Sequence, residues 1–247
     1  MVAQAKANLA RGLPLFIGQE AHKAKLCIVG GAPSLKDTLP SLQFLRGRGA
    51  LVLALNNTHD WLAERGIVPD LHVMLDARRE NAEFVRRPNK GTTYLIAAQC
   101  HPDVFDALAG HEVITWVADV PGMRALAESI KDKPLGLVGG GSTVGLKAMA
   151  LAYLWGFRWL GLFGFDSCYS GLSHHAYPQS LNDMESVVHV LRGGKRFACA
   201  PWMHAQAEDF HHDAQALLER GCSIKTYGEG LIPTLLSELQ KGRRHAA

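Results

Sequence analysis

The residues best suited to chemistry in this sequence stand directly after short apolar runs. The run Leu26 to Val29 ends in a Gly-Gly-Ala-Pro-Ser loop, and the run Leu51 to Leu55 ends in two asparagines. Adjacent glycines allow a close approach of the backbone to a ligand, and the start of a following helix offers N–H groups to an anion. The loop has neither Walker A nor G-x-G-x-x-G spacing. The predicted contacts to a nucleotide or its phosphate are Gly30, Gly31, Pro33, Ser34, Asn56 and Asn57.

A second glycine-rich loop lies further along the chain. Three successive glycines, 139 to 141, stand before Ser142 and Thr143, where a strongly helical pattern begins. Successive backbone N–H groups in such a loop form an anion-binding nest, and Ser142 is a natural N-cap. The alternative for both loops is an ordinary turn that leads into a helix. The phosphate contacts expected here are Gly140, Gly141, Ser142 and Thr143.

Two aspartates also follow predicted strands. Asp76 comes after the run Leu71 to Leu75, and Asp166 comes shortly after the run Trp159 to Phe163. A carboxylate at such a strand end could hold Mg²⁺ together with substrate phosphates, or accept a hydrogen bond from a sugar hydroxyl. For Asp166 an Asx-turn is the structural alternative.

Histidines could supply acid–base chemistry, because their unperturbed pKa lies near neutral pH. His204 stands shortly before a predicted last helix, Asp209 to Arg220. The chain has no HExxH motif and no matched set of His and carboxylate ligands, so a zinc site is not expected. An irregular segment, 167–203, carries further candidates: His174, His175, Tyr177 and Asp183.

The elements that must position these residues alternate between strand-like and helical patterns. Such alternation predicts an α/β fold, namely a Rossmann-like doubly wound, mostly parallel sheet with helices on both faces. Segment 167–203 would be an irregular, lid-like insertion in a single domain spanning residues 1–247, with its core at about 25–230. The predicted strands are 26–29, 51–55, 71–75, 93–98, 113–117, 159–163 and 223–227, and the predicted helices are 39–45, 59–65, 102–109, 123–130, 144–155 and 209–220.

Composition narrows the class of protein. The formal net charge is +3 with mixed signs and no basic stripe, so nucleic acid is not an expected partner. Five dispersed cysteines without a CxxC pair indicate a reducing compartment rather than disulfides. With no signal-peptide pattern and no apolar run long enough to span a membrane, we expect a cytoplasmic protein and leave homo-oligomerisation open.

Several short segments resemble the MptE-like and motility accessory factor superfamily. The loop Gly30 to Leu35 is similar to its G-x-G-P-S-L loop, which bacterial sialyltransferases with a Rossmann-like fold share. The resemblance covers roughly residues 25 to 230. Four further segments match in order and spacing: Ala54 to Asn56, Gly66 to Asp70 followed by Asp76, Gly141 to Asp166, and His175-Ala176.

The resemblance implies a transferase with one of two chemistries. One is glycosyl transfer from a nucleotide-activated sugar, such as a CMP-nonulosonate, to a small-molecule or glycan acceptor. The other is ATP- and Mg²⁺-dependent diphosphoryl transfer to 6-hydroxymethyl-7,8-dihydropterin. Asn56 stands where the pterin kinases have Asp-Gly, and Asp76 is the lone acid where they have an acidic cluster, which favours glycosyl transfer. A non-catalytic nucleotide-binding protein is the third alternative.

The resemblance also suggests roles for individual residues. His204 would correspond to the catalytic base of the sialyltransferases and would deprotonate the acceptor hydroxyl. His175 or Tyr177 would stabilise the departing phosphate, and Asp166 would complete the catalytic set. No cofactor is expected beyond an Mg²⁺ ion that could accompany the nucleotide, which Asp76 would hold in the diphosphokinase alternative.

Overall fold

The computed structural model describes residues 1–130, 135–171, 173–178 and 185–246. Its strands are β1 (His22–Val29), β2 (Leu51–Leu55), β3 (Leu71–Met74), β4 (Thr93–Ala97), β5 (Val113–Ala118), β6 (Leu137–Val138), β7 (Phe157–Phe163), β8 (Val188–Arg192), β9 (Lys195–Cys199) and β10 (Ser223–Tyr227). Its helices are α1 (Val2–Leu9), α2 (Leu35–Gly47), α3 (Thr58–Ala63), α4 (Pro102–Ala107), α5 (Met123–Ser129), α6 (Val144–Leu154), α7 (Pro201–Glu219) and α8 (Leu231–Ala246), with a 3-10 helix at Arg79–Val85.

The predicted Rossmann-like α/β fold is confirmed. Eight strands form one sheet in the order β10-β7-β1-β2-β3-β4-β5-β6, and every pairing in it is parallel. The other two, β8 and β9, form a separate antiparallel hairpin. Parallel strands need crossover connections, which helices supply here, so the buried sheet carries helices on both faces.

The direction of the chain through the sheet reverses beside β1. From β1 the chain adds β2 to β6 on one side, and it then returns to place β7 and β10 on the other side. In open α/β sheets a ligand crevice forms beyond the carboxyl ends of the strands at such a switch point. The loops that follow β1 and β7 therefore lie where a ligand site is expected.

The core has two faces because successive side chains of a strand point in opposite directions. Leu26 and Ile28 of β1 pack in one apolar cluster with Met149 of α6, whereas Cys27 and Val29 pack in a second cluster under α2. These fully buried residues explain why the second half of β1, Leu26 to Val29, is an uninterrupted apolar run in the sequence. The first cluster also holds α7 against the sheet through Met203, Ala207, Phe210 and Ala214.

The prediction for segment 167–203 is corrected in its second half. Residues 188–199 form the β8–β9 hairpin, and α7 begins at Pro201 rather than at Asp209, so His204 lies within this helix instead of before it. A further helix, α8, follows the strand that was predicted to be the last, and α1 precedes the predicted core. Asp183 lies outside the described residues. Among the helices described, none is both long and apolar enough to cross a membrane.

Candidate functional site

A cavity of about 500 Å³ opens at the carboxyl edge of the sheet, beside the switch point. Its walls come from the loops after β1, β2, β3 and β7, from the start of α6, and from the first turns of α7. Ligand pockets for small molecules have volumes of this order. Eleven of the candidate residues named from the sequence line it: Gly30, Gly31, Asn56, Asn57, Asp76, Ser142, Thr143, Asp166, His174, His175 and Tyr177.

The first glycine loop is packed tightly against the loop after β7. A Cβ on Gly30 would lie 2.6 Å from the carbonyl oxygen of Gly164, and a Cβ on Gly31 would overlap the hydroxyl of Tyr177. The N–H of Gly30 donates to the carbonyl of Phe163 at 2.8 Å. Only glycine permits this approach of three chain segments, so the Gly-Gly pair is required by packing as well as being exposed to the cavity.

Ser34 and Asp166 join the ends of β1 and β7. The backbone N–H of Ser34 donates to Asp166 Oδ2 at 2.8 Å, and its hydroxyl donates to Oδ1 at 2.5 Å. Burial raises the pKa of Asp166 from 3.8 to about 6, although the two bonds from Ser34 act in the opposite direction. Asp166 lines the cavity, whereas Ser34 and Pro33 do not. The Ser34 hydroxyl therefore donates its hydrogen bond to Asp166 and does not face the cavity.

Tyr177 joins the irregular segment to the end of β2. Its hydroxyl donates to Asn57 Oδ1 at 2.6 Å and lies 3.0 Å from the Thr58 hydroxyl. Burial raises the pKa of Tyr177, so this phenol stays neutral at physiological pH. The next residue towards the N-terminus, Ala176, donates its N–H to the carbonyl of Gly31 at 2.8 Å. His175, whose ring would be 3.0 Å from a Cβ on Gly31, is thus held against the glycine loop.

Two residues of the cavity wall have left-handed backbone conformations. Asn56 has φ of +48° and directly follows β2. Ser167 has φ of +50° and lies in the loop after β7. Positive φ is uncommon outside glycine and is concentrated at functional sites, where the surrounding structure maintains it. Their side-chain oxygens, Asn56 Oδ1 and Ser167 Oγ, are buried and have no hydrogen-bond partner among the described residues.

The second glycine loop is bound to α7. The N–H of Gly141 donates to Asp213 Oδ2 at 2.7 Å, and both the N–H and the hydroxyl of Ser142 donate to Asp209 Oδ2. These donors are therefore occupied by carboxylates, and Gly140 and Gly141 do not line the cavity. The N-cap of α6 is Thr143 rather than Ser142 as predicted. What the loop presents to the cavity is the start of α6, from Ser142 to Gly145.

Asp76 lies at the cavity wall in an ion pair. Its carboxylate accepts from the N–H of Arg78 at 2.9 Å and from Nε of the same residue at 2.8 Å. Burial favours a higher pKa for Asp76, but the bonds from Arg78 and Asn81 outweigh it and lower the pKa. Over the residues described, no three His, Cys, Asp or Glu side chains could together hold a metal ion. Asp76 is thus one carboxylate at the cavity wall, and a carboxylate is the kind of oxygen ligand that Mg²⁺ binds together with substrate phosphates.

His204 lies away from this cavity. It is in the first turns of α7, its side chain is 44% exposed, and its Nε2 lies 3.7 Å from Glu208 Oε1 on the same helix. The α7 residues that do line the cavity are Trp202, Met203 and Gln206. A helix turns by about 100° per residue, so residues next to each other in sequence face different directions.

Several cavity residues were not predicted from the sequence. Gln99 follows the end of β4, which is the same signal that identified Asn56, and its Oε1 is buried without a partner among the described residues. Arg78 stands beside Asp76 in sequence, and Trp202 lies in a segment predicted to be irregular. Nothing in the local sequence marks Asn81, which lies in the 3-10 helix.

The fold and this cavity define a Rossmann-like α/β protein with a cavity at the carboxyl edge of its sheet. A family model described as 6-hydroxymethylpterin diphosphokinase MptE-like matches residues 2–171, which is more than half of the chain. The chain therefore belongs to the MptE-like family. No curated protein sequence matches it significantly.

The chain aligns with two solved transferase structures, of which the first has a similar fold. The Maf glycosyltransferase from Magnetospirillum magneticum AMB-1 superposes with a TM-score of 0.64 and 17% identity, over 94% of this chain and 39% of the glycosyltransferase. A mammalian sialyltransferase in complex with Gal-beta-1-3GalNAc-ortho-nitrophenol gives a TM-score of 0.47 and 13% identity, over 93% of this chain and 80% of that one. The chain thus spans about two fifths of the length of the Maf glycosyltransferase.

Proposed function

We propose that the protein is a nucleotide-dependent transferase that moves a glycosyl group from a nucleotide-activated sugar, of the CMP-nonulosonate type, to a hydroxyl acceptor. The observation that carries the proposal is the cavity of about 500 Å³ at the switch point of the sheet. In that one space, His175 and a carboxyl group with a pKa near 6 accompany the backbone of the first glycine loop, the start of α6 and the Asn56-Asn57 pair. A nucleotide sugar needs both parts, a phosphate-binding wall and groups that move a proton.

We assign the phosphate to the wall formed by Gly31 and the start of α6. The first N–H groups of an eleven-residue helix have no intrahelical partner and carry the positive end of its dipole. Thr143 Oγ1 is buried beside them without a partner among the described residues. The guanidinium of Arg78, which is 52% exposed at the cavity wall, adds positive charge. These groups would stabilise the negative charge that develops on the departing phosphate.

In the transfer step, the acceptor oxygen bonds to the anomeric carbon, and the bond from that carbon to the phosphate oxygen breaks. The nucleoside monophosphate leaves with the electron pair of the broken bond, and a base must take the proton of the acceptor hydroxyl. Geometry selects among candidate bases before pKa does. His175 lines the cavity and His204 does not, so we assign the proton to His175 and give Asp166 the role of a second proton-exchanging group.

The second candidate is diphosphoryl transfer from ATP to a hydroxymethylpterin, and the family description favours it. In that reaction, Mg²⁺ neutralises charge on the ATP phosphates. Of the two cavity carboxyl groups, Asp166 is bound by Ser34, so we assign the ion to Asp76, where it would compete with Arg78 for the carboxylate. A metal requirement and a loss of activity in Asp76→Asn are therefore expected only for this alternative.

A thermal-shift panel with CMP, ATP and GDP, each with and without Mg²⁺, separates these functions. A ligand that binds only the native state raises Tm by mass action. The glycosyltransferase proposal expects a shift with CMP that persists in EDTA. A shift with ATP that needs Mg²⁺ would replace it with the diphosphokinase, and a CMP shift without turnover of any CMP-sugar would indicate a non-catalytic nucleotide-binding protein.

The choice of base is tested by His175→Ala against His204→Ala. The readout is release of CMP from CMP-N-acetylneuraminate, with water as the acceptor. General base catalysis contributes on the order of 10²- to 10⁴-fold, so His175→Ala should lose at least about 100-fold in rate. His204→Ala is the matched control, because its exposed ring pairs only with Glu208 among the contacts described, and its rate should stay within about twofold. The opposite result would return the role of base to His204.

A further inference from the structure

The backbone conformation of Asn56 needs a source of stability. Asn56 directly follows β2, lines the cavity and has φ of +48°. Asparagine tolerates the left-handed region better than other non-glycine residues, but it still prefers negative φ. Its N–H donates to the carbonyl of Val73 on β3 at 3.2 Å. That bond fixes the N–H of Asn56. The orientation of the Asn56 carbonyl must be set by other contacts.

The Asn56 carbonyl is bound by a buried histidine of the neighbouring strand. His72, which is 0% exposed, pairs with Ala54 in the β2–β3 register, and its Nε2 lies 2.8 Å from the Asn56 oxygen. The backbone N–H of His59 donates to the same oxygen at 3.3 Å. The carbonyl can only accept, so Nε2 of His72 must carry the proton.

His72 is held in the neutral form that this bond requires. Burial and, to a smaller extent, the nearby His59 lower its pKa to about 3, although the bond to Asn56 acts in the opposite direction. With the single proton on Nε2, Nδ1 is an unprotonated atom, and it has no partner among the described residues. The tautomer is therefore fixed by the Asn56 carbonyl alone.

A stack of buried aromatic rings keeps His72 in place. The His59 ring lies parallel to it at 4.9 Å, and the ring of Tyr94 meets it edge-on at 5.5 Å. His59 Nδ1 is 2.8 Å from Asp60 Oδ1, and its Nε2 is 3.4 Å from the Tyr94 hydroxyl. A close-packed interior of this kind leaves a ring little freedom to move away from its partner.

We propose that His72 is a positioning residue for the ligand site, and that its hydrogen bond keeps Asn56 in the left-handed conformation that shapes the cavity wall. The proposal rests on the proposed function in so far as that cavity binds a nucleotide. His72 touches no ligand and exchanges no proton in the reaction. It acts through the backbone of Asn56. This residue connects β2 to Asn57, whose side chain accepts the hydrogen bond from Tyr177.

The test compares three variants by crystal structure, Tm and Kd for CMP. His72→Leu removes the donor at similar volume, and His72→Gln offers an amide N–H at about the reach of Nε2. His111→Leu is the matched control, because the His111 ring packs edge-on against Tyr94 at 5.9 Å and makes no described bond to Asn56. If His72→Leu does not fold, His72→Asn replaces it, because the shorter amide does not reach the carbonyl.

We expect His72→Leu to lose the positive φ at Asn56 and to weaken CMP binding by on the order of tenfold, the effect of one lost hydrogen bond. His72→Gln should restore both, and His111→Leu should lower Tm without changing Kd. A His72→Leu crystal structure with φ of Asn56 unchanged would overturn the proposal, as would an equal loss of affinity in His111→Leu. If the wild-type protein binds no nucleotide, the proposed function fails, and φ of Asn56 in His72→Leu still decides this inference.

Discussion

At the scale of single residues, Asp166 has an acid–base equilibrium close to physiological pH. The residue is 3% exposed, and its carboxyl group accepts two hydrogen bonds from Ser34. Burial penalises the charged form and the bonds favour it, and burial prevails, so the pKa rises to about 6. A carboxyl group in this state can either donate or accept a proton near neutrality, which suits a group at the wall of a transferase cavity.

Because of this raised pKa, the free energy of unfolding should depend on pH. The folded state holds the Asp166 proton up to about pH 6, and the unfolded chain releases it near 3.8. The native state therefore binds more protons in that window, and the free energy of unfolding falls as pH rises through it. From pH 4.5 to 7 this single group should account for a fall on the order of 2 kcal/mol.

Urea unfolding at pH 4.5 and pH 7 measures the effect as the difference between the wild-type protein and Asp166→Asn. Asp106→Asn is the control, because Asp106 is 63% exposed in a surface ion pair with Arg11. Asp166→Asn should remove this fall and Asp106→Asn should keep it. The same pH dependence in all three proteins would mean that Asp166 is already ionised in the folded state at pH 4.5.

One rule connects the sequence to the cavity, namely that polar residues follow the carboxyl ends of buried strands. Asn56, Asp76 and Asp166 all satisfy it and all line the cavity. Gln99 satisfies the same rule after β4 and was overlooked. His204 was selected by its correspondence with the catalytic base of the sialyltransferases, and the direction in which a helical side chain points depends on the true start of the helix.

At the scale of elements, the contact between α7 and the second glycine loop joins two walls of the cavity. Asp213 and Asp209 of α7 accept the N–H groups of Gly141 and Ser142. Burial raises the pKa of Asp213, although the bond from Gly141 acts against it. Because the start of α6 and the first turns of α7 both line the cavity, their relative position depends on these bonds.

Asp213→Ala should therefore loosen this contact. Loss of the acceptor leaves the half-buried N–H of Gly141 without its partner, which costs about 1–3 kcal/mol of the free energy of unfolding. Nucleotide affinity should fall as well, since the α6 wall is no longer tied to α7. Glu83→Ala, which removes an exposed ion pair with Arg86, should change stability by less than about 1 kcal/mol. Urea unfolding and CMP titration measure both quantities, and unchanged affinity in Asp213→Ala would show that the contact does not support the site.

The elements themselves were predictable to different degrees. The second half of β1 and the strands β2 and β4 are buried and largely apolar, so the sequence displays them directly, whereas β3 is buried throughout but contains His72. The β8–β9 hairpin is largely exposed and mixes His and Arg with Val and Leu, so it carries no such run. Pro201 at the first position of α7 was a usable signal for the true start of that helix.

At the scale of the whole molecule, the switch point brings loops from distant parts of the chain to one edge of the sheet. Hydrogen exchange with and without bound nucleotide should show this convergence. We expect added protection in residues 30–34, 56–58, 142–146, 164–168 and 174–177, which surround the cavity or pack against it. The β8–β9 hairpin and the C-terminal part of α8 contribute nothing to its walls and should exchange as before. Protection confined to the groove between α1 and α5 would move the ligand site there.

The sequence by itself determined the parallel α/β class, the strand ends that carry polar residues, and the glycines at which chain segments meet. It could do so because burial on both faces and backbone freedom are properties of short stretches of chain. The tertiary structure alone decided which loop donors remain for a ligand. Ser34 is bound by Asp166, the second glycine loop is bound by Asp209 and Asp213, and Asn56 is held by His72. Each of these bonds joins segments far apart in sequence or on different strands, so only their meeting in space establishes them.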